Sequence, residues 1–415
     1  MFNRLSLAGL CATFIGNGIG RSAFIALMPA LVGAGWFSKA EASYLGVATL
    51  VGYVVGAPLA DWLGRRLSSA TMLRGAMLVC TASFFACAVE GAAMPWYGFW
   101  RTVAGVSGAV LMVLPAAVVL PAHSPRVRGR ASGVVFSGVG LGAVVSGSLV
   151  PLLITGAALP SLSSLRGVSG AWMGMGGVCL LATVLAWKPW PVEQRTDATG
   201  ASRAAEPLPS AVRTTVGLLL LAYGLNAVGY LAHTMFWVDY LVRELGLPLA
   251  AGGAYWAMFG IGAAAGPLLT GTLADSLGLR RCLIAGFVLK ASAAVLPVLS
   301  SSPAALFASS LLMGIFTPGI ASLVSAYALD RVGAAHHRKT WGLLTTGFAV
   351  AQAAGGALMA FAASRIDSYQ PLFCASAVAL LGSIACIAAS GRPSSQQDPV
   401  PDVGPSDDAV ANPAD

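Results

Sequence analysis

The sequence predicts an all-α integral membrane protein, with about twelve transmembrane helices in two pseudo-symmetric six-helix bundles. Three observations carry this. The chain is 57% hydrophobic and only 10% charged over 415 residues, with a mean hydropathy of +0.77, far more apolar than a water-soluble protein can afford. Its apolar residues fall into blocks of roughly 20, the length a helix needs to cross a bilayer. And one segment occurs twice: Ala57-Pro-Leu-Ala-Asp61-Trp-Leu-Gly64-Arg65-Arg66 returns as Gly271-Thr-Leu-Ala-Asp275-Ser-Leu-Gly278-Leu-Arg280-Arg281, with Gly46 and Gly52 answered upstream by Gly260 and Gly266 at the same offset. A repeat of that length in register marks a duplicated unit.

Taken in order, the spans are expected at residues 5–33, 42–60, 68–89, 97–120, 131–154 and 168–187, then 214–238, 251–274, 282–300, 304–329, 341–363 and 371–390. They must be helices, because lipid offers no partner to a backbone N–H or C=O and the short alternating strands of a barrel are missing. Residues 1–187 thus form an N-terminal bundle, 188–213 a cytoplasmic linker, 214–390 a C-terminal bundle and 391–415 a disordered cytoplasmic tail. The linker and tail are polar, proline-containing and without apolar periodicity. The first span is too long for a secretory signal and has a counterpart opening the second half.

Charge gives orientation. Counted alternately, Arg65, Arg66, Arg126, Arg128, Arg130, Arg280, Arg281, Arg331, Arg338 and Lys339 fall on one side with most other basic residues, and only Lys39, Arg166, Arg243 and Arg365 on the other. The positive-inside rule then puts both termini in the cytoplasm of a bacterial inner membrane. The net charge of +8 is accounted for by these loops, and nucleic acid is not an expected partner. Cys11, Cys80, Cys87, Cys179, Cys282, Cys374 and Cys386 lie within spans at no metal or disulfide spacing, so they read as small core residues.

Span 1 carries Asn17, Arg21 and Phe24 on one helical face, and span 7 carries Asn226, Tyr230, His233 and Trp237 likewise. The halves superpose on Asn17-x-x-Gly20 and Asn226-x-x-Gly229. A mid-span arginine is costly in lipid, so Arg21 faces a hydrated cavity or serves as a hub for carbonyls and Asn17. Arg74 in span 3 and Lys290 in span 9 lie within snorkelling distance of the basic side and are expected to be structural. Arg101, toward the outer end of span 4, is either cavity-facing or an interfacial anchor. Span 5 has Gly133, Gly138, Gly140, Gly142 and Gly147, suited to close helix packing. The acids lie in loops, tails or span ends, with Glu41, Glu90, Asp239 and Glu244 outside; a cavity with cations and no buried acid favours an anion.

These features resemble the major facilitator superfamily over nearly the whole chain. The resemblance rests on the doubled Asp-x-x-Gly-basic-basic loop, on Arg101-x-x-x-Gly105-x-x-Gly108-Ala109 in span 4 and on the glycine-rich span 5. Gly18-Ile-Gly-Arg21-Ser-Ala-Phe24 followed by Leu27-Met-Pro29 resembles its YbfB/YjiJ-type branch. Ala57 and Leu279 depart from the loop pattern, and span 5 lacks the Gly-Pro pair associated with antiporters.

The resemblance implies a secondary active transporter working by alternating access, binding substrate between the halves near the midplane. Substrate-binding candidates are Asn17, Arg21, Phe24, Arg101, Asn226, Tyr230, His233 and Trp237. The gate would comprise Asp61, Gly64, Arg65, Arg66, Asp275, Gly278, Arg280 and Arg281, the bland alternative being simple helix stops. The expected cargo is a small organic anion, with protons as the coupling ion through His233, Asp239 or the cargo itself. A multidrug or metabolite exporter of the same superfamily is the alternative, and a non-transporting receptor or scaffold a remote one. No cofactor, metal or catalytic residue is implied, since no ligand-spaced constellation or phosphate loop is present; a monomer in the bilayer is expected.

Overall fold

A computed structural model describes residues 3–124, 127–156, 167–191 and 208–391. Among the described residues there are twelve helices long and apolar enough to cross a membrane. They are α1 Arg4–Gly33, α2 Lys39–Gly64, α3 Ser69–Cys87, α4 Met94–Val119, α5 Arg130–Thr155 and α6 Gly167–Leu185. The second half holds α7 Ser210–Glu244, α8 Leu249–Leu277, α9 Leu279–Leu299, α10 Pro303–Gly333, α11 Ala335–Ala363 and α12 Gln370–Ala389. The expected linker and tail fall largely on residues outside those described.

Local chemistry sets the ends. Ser38 and Glu41 form a reciprocal cap at the start of α2, Ser38 N donating to Glu41 Oε2 at 2.8 Å and Glu41 N to Ser38 Oγ at 3.2 Å. Ser68 and Ser302 cap α3 and α10 through their side chains. α8 and α9 are separated by Gly278 alone, at φ +81°, a conformation that an L side chain resists. α10 and α11 join with a kink at Gly333 (φ 69°), so the loop expected between residues 330 and 340 is helical instead.

The duplication is visible as a repeated helix crossing. A Cβ on Gly52 of α2 would sit 2.1 Å from the Thr102 carbonyl of α4, and one on Gly105 of α4 would sit 2.1 Å from the Thr49 carbonyl of α2. In the second half Gly266 of α8 and Gly314 of α10 reproduce this, at 2.1 Å from the carbonyls of Ile315 and Phe259. Backbone is packed on backbone with no room for a methyl group, which is how helices associate where lipid supplies no hydrophobic drive.

Two helices depart from α geometry near their middles, within a few residues of the paired Asn17 and Asn226. α1 passes through a π-helical stretch, Phe14–Ile19, and α7 is interrupted at Tyr230 (φ −115°, ψ 2°). α7 also runs further than its hydropathy suggested, through a second π-helical stretch, Tyr240–Glu244. Asp239, expected outside the membrane, is therefore inside a helix and fully buried. Hydropathy put the boundary at the first acid; burial of that acid by tertiary partners moved it.

Among the described residues the bundles meet chiefly where α1 packs on α7, α2 on α11 and α5 on α8, with smaller contacts of α1 with α8 and α2 with α7. The α5–α8 contact is glycine on glycine. Cβ atoms would lie 2.4 Å from the Gly253 carbonyl at Gly147 and 2.5 Å from the Gly260 carbonyl at Gly140, but Gly133 meets only a Leu268 side chain, 3.7 Å away. The two helices thus diverge toward the face that carries the basic loops.

Candidate functional site

Arg21 is half-buried on α1 and reaches across to the second bundle. Its Nη2 donates to Thr234 Oγ1 at 3.3 Å, and its guanidinium lies 5.7 Å from the centre of the Tyr230 ring. Gln352 of α11, buried, completes the arrangement: with the amide oriented to satisfy its neighbours, Oε1 accepts from Arg21 Nη1 at 3.0 Å, from Nη2 at 3.1 Å and from the Tyr230 hydroxyl. Asn17 and Tyr53, both half-buried, lie side by side next to this group.

Behind Tyr230 sits a second cation. Lys290 of α9 is fully buried, its Nζ donating to Asn226 Oδ1 at 2.7 Å and lying 4.6 Å from the Tyr230 ring centre. The expectation that Lys290 snorkels to the basic side is corrected: α9 turns this residue into the bundle, where Asn226 and an aromatic face replace water. Arg74 does behave as expected, donating Nε to the Trp187 carbonyl at 2.8 Å.

Arg101 is 2% exposed, which removes the interfacial-anchor alternative. Its Nη1 donates to the Gly20 carbonyl at 3.1 Å, and its guanidinium lies 4.6 Å from Phe24 and 5.9 Å from Trp172, a stack that suits a weakly hydrated cation. Arg21, Phe24, Arg101 and Thr234 line a small cavity of about 20 Å³, room for about one water.

The structure brings together Asn17, Arg21, Phe24, Arg101, Asn226 and Tyr230. It does not bring His233 and Trp237 to them. Both are fully buried inside the second bundle, stacked at 4.6 Å, with His233 Nε2 bonded to Ser309 Oγ at 2.8 Å and Trp237 Nε1 to Ser310 Oγ at 2.9 Å. Helical spacing gave them the face of Tyr230, but the break at Tyr230 rotates the second segment away. Gln352, Tyr53 and Thr234 were not anticipated. An uncharged side chain in an apolar span is an ordinary packing residue until its neighbours are known; Gln352 alone gave a signal, as a long amide is costly to leave unpaired in a membrane.

No carboxylate lies within 4 Å of Arg21, Arg101 or Lys290 among the described residues. On the basic side Asp330 lies 3.8 Å from Arg331; a larger group of paired acids lies at the opposite face. There Asp239 accepts from the Tyr369 hydroxyl and from Arg243 Nη1 at 3.2 Å. Glu244 accepts from Ser368 Oγ at 2.6 Å and Tyr369 N at 2.7 Å. Onto this platform docks Lys39 of the first bundle, Nζ donating to the Ile366 carbonyl at 2.9 Å and lying 4.1 Å from the Tyr369 ring centre. On the basic face, by contrast, Asp61, Arg65, Arg66, Asp275, Gly278 and Arg281 are exposed. Neither aspartate forms an ion pair within 4 Å among the described residues. Arg280 bonds within its own half, Nη2 to the Ala388 carbonyl at 2.7 Å, and Gly64 has an ordinary helical backbone where Gly278 does not.

A central cation cluster thus lies between two glycine-packed bundles, which Lys39 joins at one face and which diverge along α5 and α8 toward the other. The family described as "Uncharacterised MFS-type transporter YbfB" matches residues 13–387. The chain belongs to this family. It is a multi-pass membrane protein of the major facilitator superfamily, a transporter family. Among solved structures it is similar to a bacterial homolog of the human lysosomal transporter Spinster in an inward-facing, occupied conformation (TM-score 0.67, 18% identity, 92% of this chain and 93% of that one). The same homolog, inward-facing and unoccupied, gives a TM-score of 0.65 at 18% identity over the same shares of the two chains. The nucleoside transporter NupG, in a mutant form, gives 0.70 at 13% identity over 94% of this chain and 100% of that one. Identities this low speak to the fold. No curated protein sequence matches the chain.

Proposed function

We propose that this transporter moves a small organic anion by alternating access, binding it at Arg21 between bundles bounded by residues 1–187 and 214–390. The observation that carries the reading is the absence of any carboxylate partner for Arg21 among the described residues. Its guanidinium is held at the bundle interface by Gln352, Thr234 and Tyr230. A cation in low dielectric without a counter-charge raises the potential around it and attracts an anion, and the planar fork matches a carboxylate. Asn17 and Tyr53 supply further hydrogen bonds; Arg101 contributes field. The chemistry needs no covalent step, so the chain is not an enzyme on this reading.

By the positive-inside rule the face with the basic loops, and with it both termini, lies in the cytoplasm of a bacterial inner membrane. On this reading the state is closed to the outside, with Lys39 as the latch and the Asp61 and Asp275 loops released; the Lys39 contact and the divergence of α5 and α8 support it. The same loops would engage neighbouring helix ends when the cytoplasmic face shuts.

A thermal-shift screen of the purified protein across organic carboxylates, sugars and cationic drugs, at two pH values, tests the anion reading. Carboxylates are expected to stabilise; stabilisation by cations only would overturn it and favour the exporter alternative. For the latch, Lys39→Ala should shift the resting population toward the outward-open form by several-fold, about 1 kcal/mol. Spin labels across each face read this directly: distances at the Lys39 face should lengthen and those at the basic face shorten, and an unchanged distribution counts against the latch.

A further inference from the structure

Lys290 is a buried ionisable group that the binding reading leaves unused, and it stands one aromatic ring away from Arg21. Arg21 and Lys290 approach the same Tyr230 ring to 5.7 Å and 4.6 Å, and neither has a carboxylate within 4 Å among the described residues. Two like charges in a low-dielectric interior repel strongly. Arginine holds its proton at any pH a cell reaches, whereas a buried lysine can release one. Relief must therefore come from Lys290.

We infer that Lys290 carries the proton that accompanies the anion, with its charge linked to occupancy at Arg21; this rests on the anion reading above. When an anion binds Arg21, the ammonium gains a counter-charge across Tyr230 and keeps its proton. When the anion leaves, the ammonium passes its proton to water in the open crevice and remains as a neutral amine. The cycle thus takes up one proton from water on the loading side and returns it to water on the other.

The surroundings suit a group that changes charge. Asn226 Oδ1 accepts from Nζ at 2.7 Å and can do so from amine or ammonium alike, so the side chain stays in place through both states. Tyr230, which shields it from Arg21, lies at the interruption of α7, where no regular helix fixes the backbone against a small rotation that would admit water. Besides Tyr230 and Arg21, His233 of α7 is a titratable group near Lys290. It is fully buried against Ser309 of α10, and Ser309 in turn donates to the Ala293 carbonyl of α9 at 2.7 Å. The packed elements therefore present Asn226, Tyr230 and His233, with Arg21 beyond, and no acid among the described residues.

The chain's lysines are Lys39, Lys188, Lys290 and Lys339, few enough for direct observation. Full-length protein carrying 13C- and 15N-labelled lysine, in nanodiscs without added anion, is followed by NMR, and the signal missing in Lys290→Arg is assigned to Lys290. Over the pH titration that signal is expected to pass from ammonium to amine, and in Arg21→Gln its midpoint should move upward, a gain of about tenfold in proton affinity. A Lys290 signal charged at both ends of the range, or neutral at both, overturns the proposal. So does a midpoint unmoved by Arg21→Gln. These outcomes leave the anion reading standing, because the ligand screen tests Arg21 independently; a screen that finds only cations removes that reading whatever Lys290 does.

Discussion

Arg21→Ala is expected to reduce binding of the stabilising carboxylate by at least about 100-fold, the effect of removing one side of a desolvated charge-assisted contact. The fold should survive. Arg21 is only half-buried, and its partners retain one another: Gln352 still bonds the Tyr230 hydroxyl, and Thr234 Oγ1 donates to the Tyr230 carbonyl at 3.2 Å. The measurement is the thermal shift given by the carboxylate, alongside uptake into proteoliposomes. Arg21→Lys separates charge from geometry, because lysine keeps the cation and loses the planar fork; an intermediate loss of about tenfold is expected. Wild-type affinity in Arg21→Ala would remove Arg21 from the site.

Gly260→Leu is expected to stop transport while each bundle still folds. Gly260 of α8 faces Gly140 of α5 across the interface, and a Cβ there would lie 2.6 Å from both the Gly140 carbonyl and the Val144 amide. Those are backbone atoms and cannot turn aside. Inserting a side chain forces the helices apart, at more than the roughly 1–3 kcal/mol typical of overpacking among side chains. Gly260→Ala should be milder, and Gly260→Leu with intact helicity by circular dichroism but no uptake is the expected pair of readings. Full activity in Gly260→Leu would mean that α5 and α8 need not pack this closely during the cycle.

The two predictions differ in how far the sequence foretold them. Arg21 was legible because a charge in the middle of an apolar span is costly wherever the helix points. Gly260 was legible as the partner of Gly46 in the repeat, yet its contact with Gly140 was not, since a glycine's use depends on which helix lies opposite. Lys290 and Arg101 show the same division. Both were recognisably out of place in lipid, but snorkelling and burial are equally open to a long side chain until its neighbours are known. For His233 and Trp237 the helical spacing itself misled, because a break at Tyr230 changes the direction of every residue after it.

Twelve membrane-spanning helices, the relation between the two halves and the basic face all follow from hydropathy, repetition and charge, which the chain possesses before it folds. That Gln352 joins Arg21 and Tyr230, that Lys290 lies beneath the same ring and that Asp239 is sealed in by Tyr369 emerged only once the helices had packed. Each of those contacts needs side chains far apart in sequence to meet where water is excluded, and exclusion of water is a property of the assembled bundles.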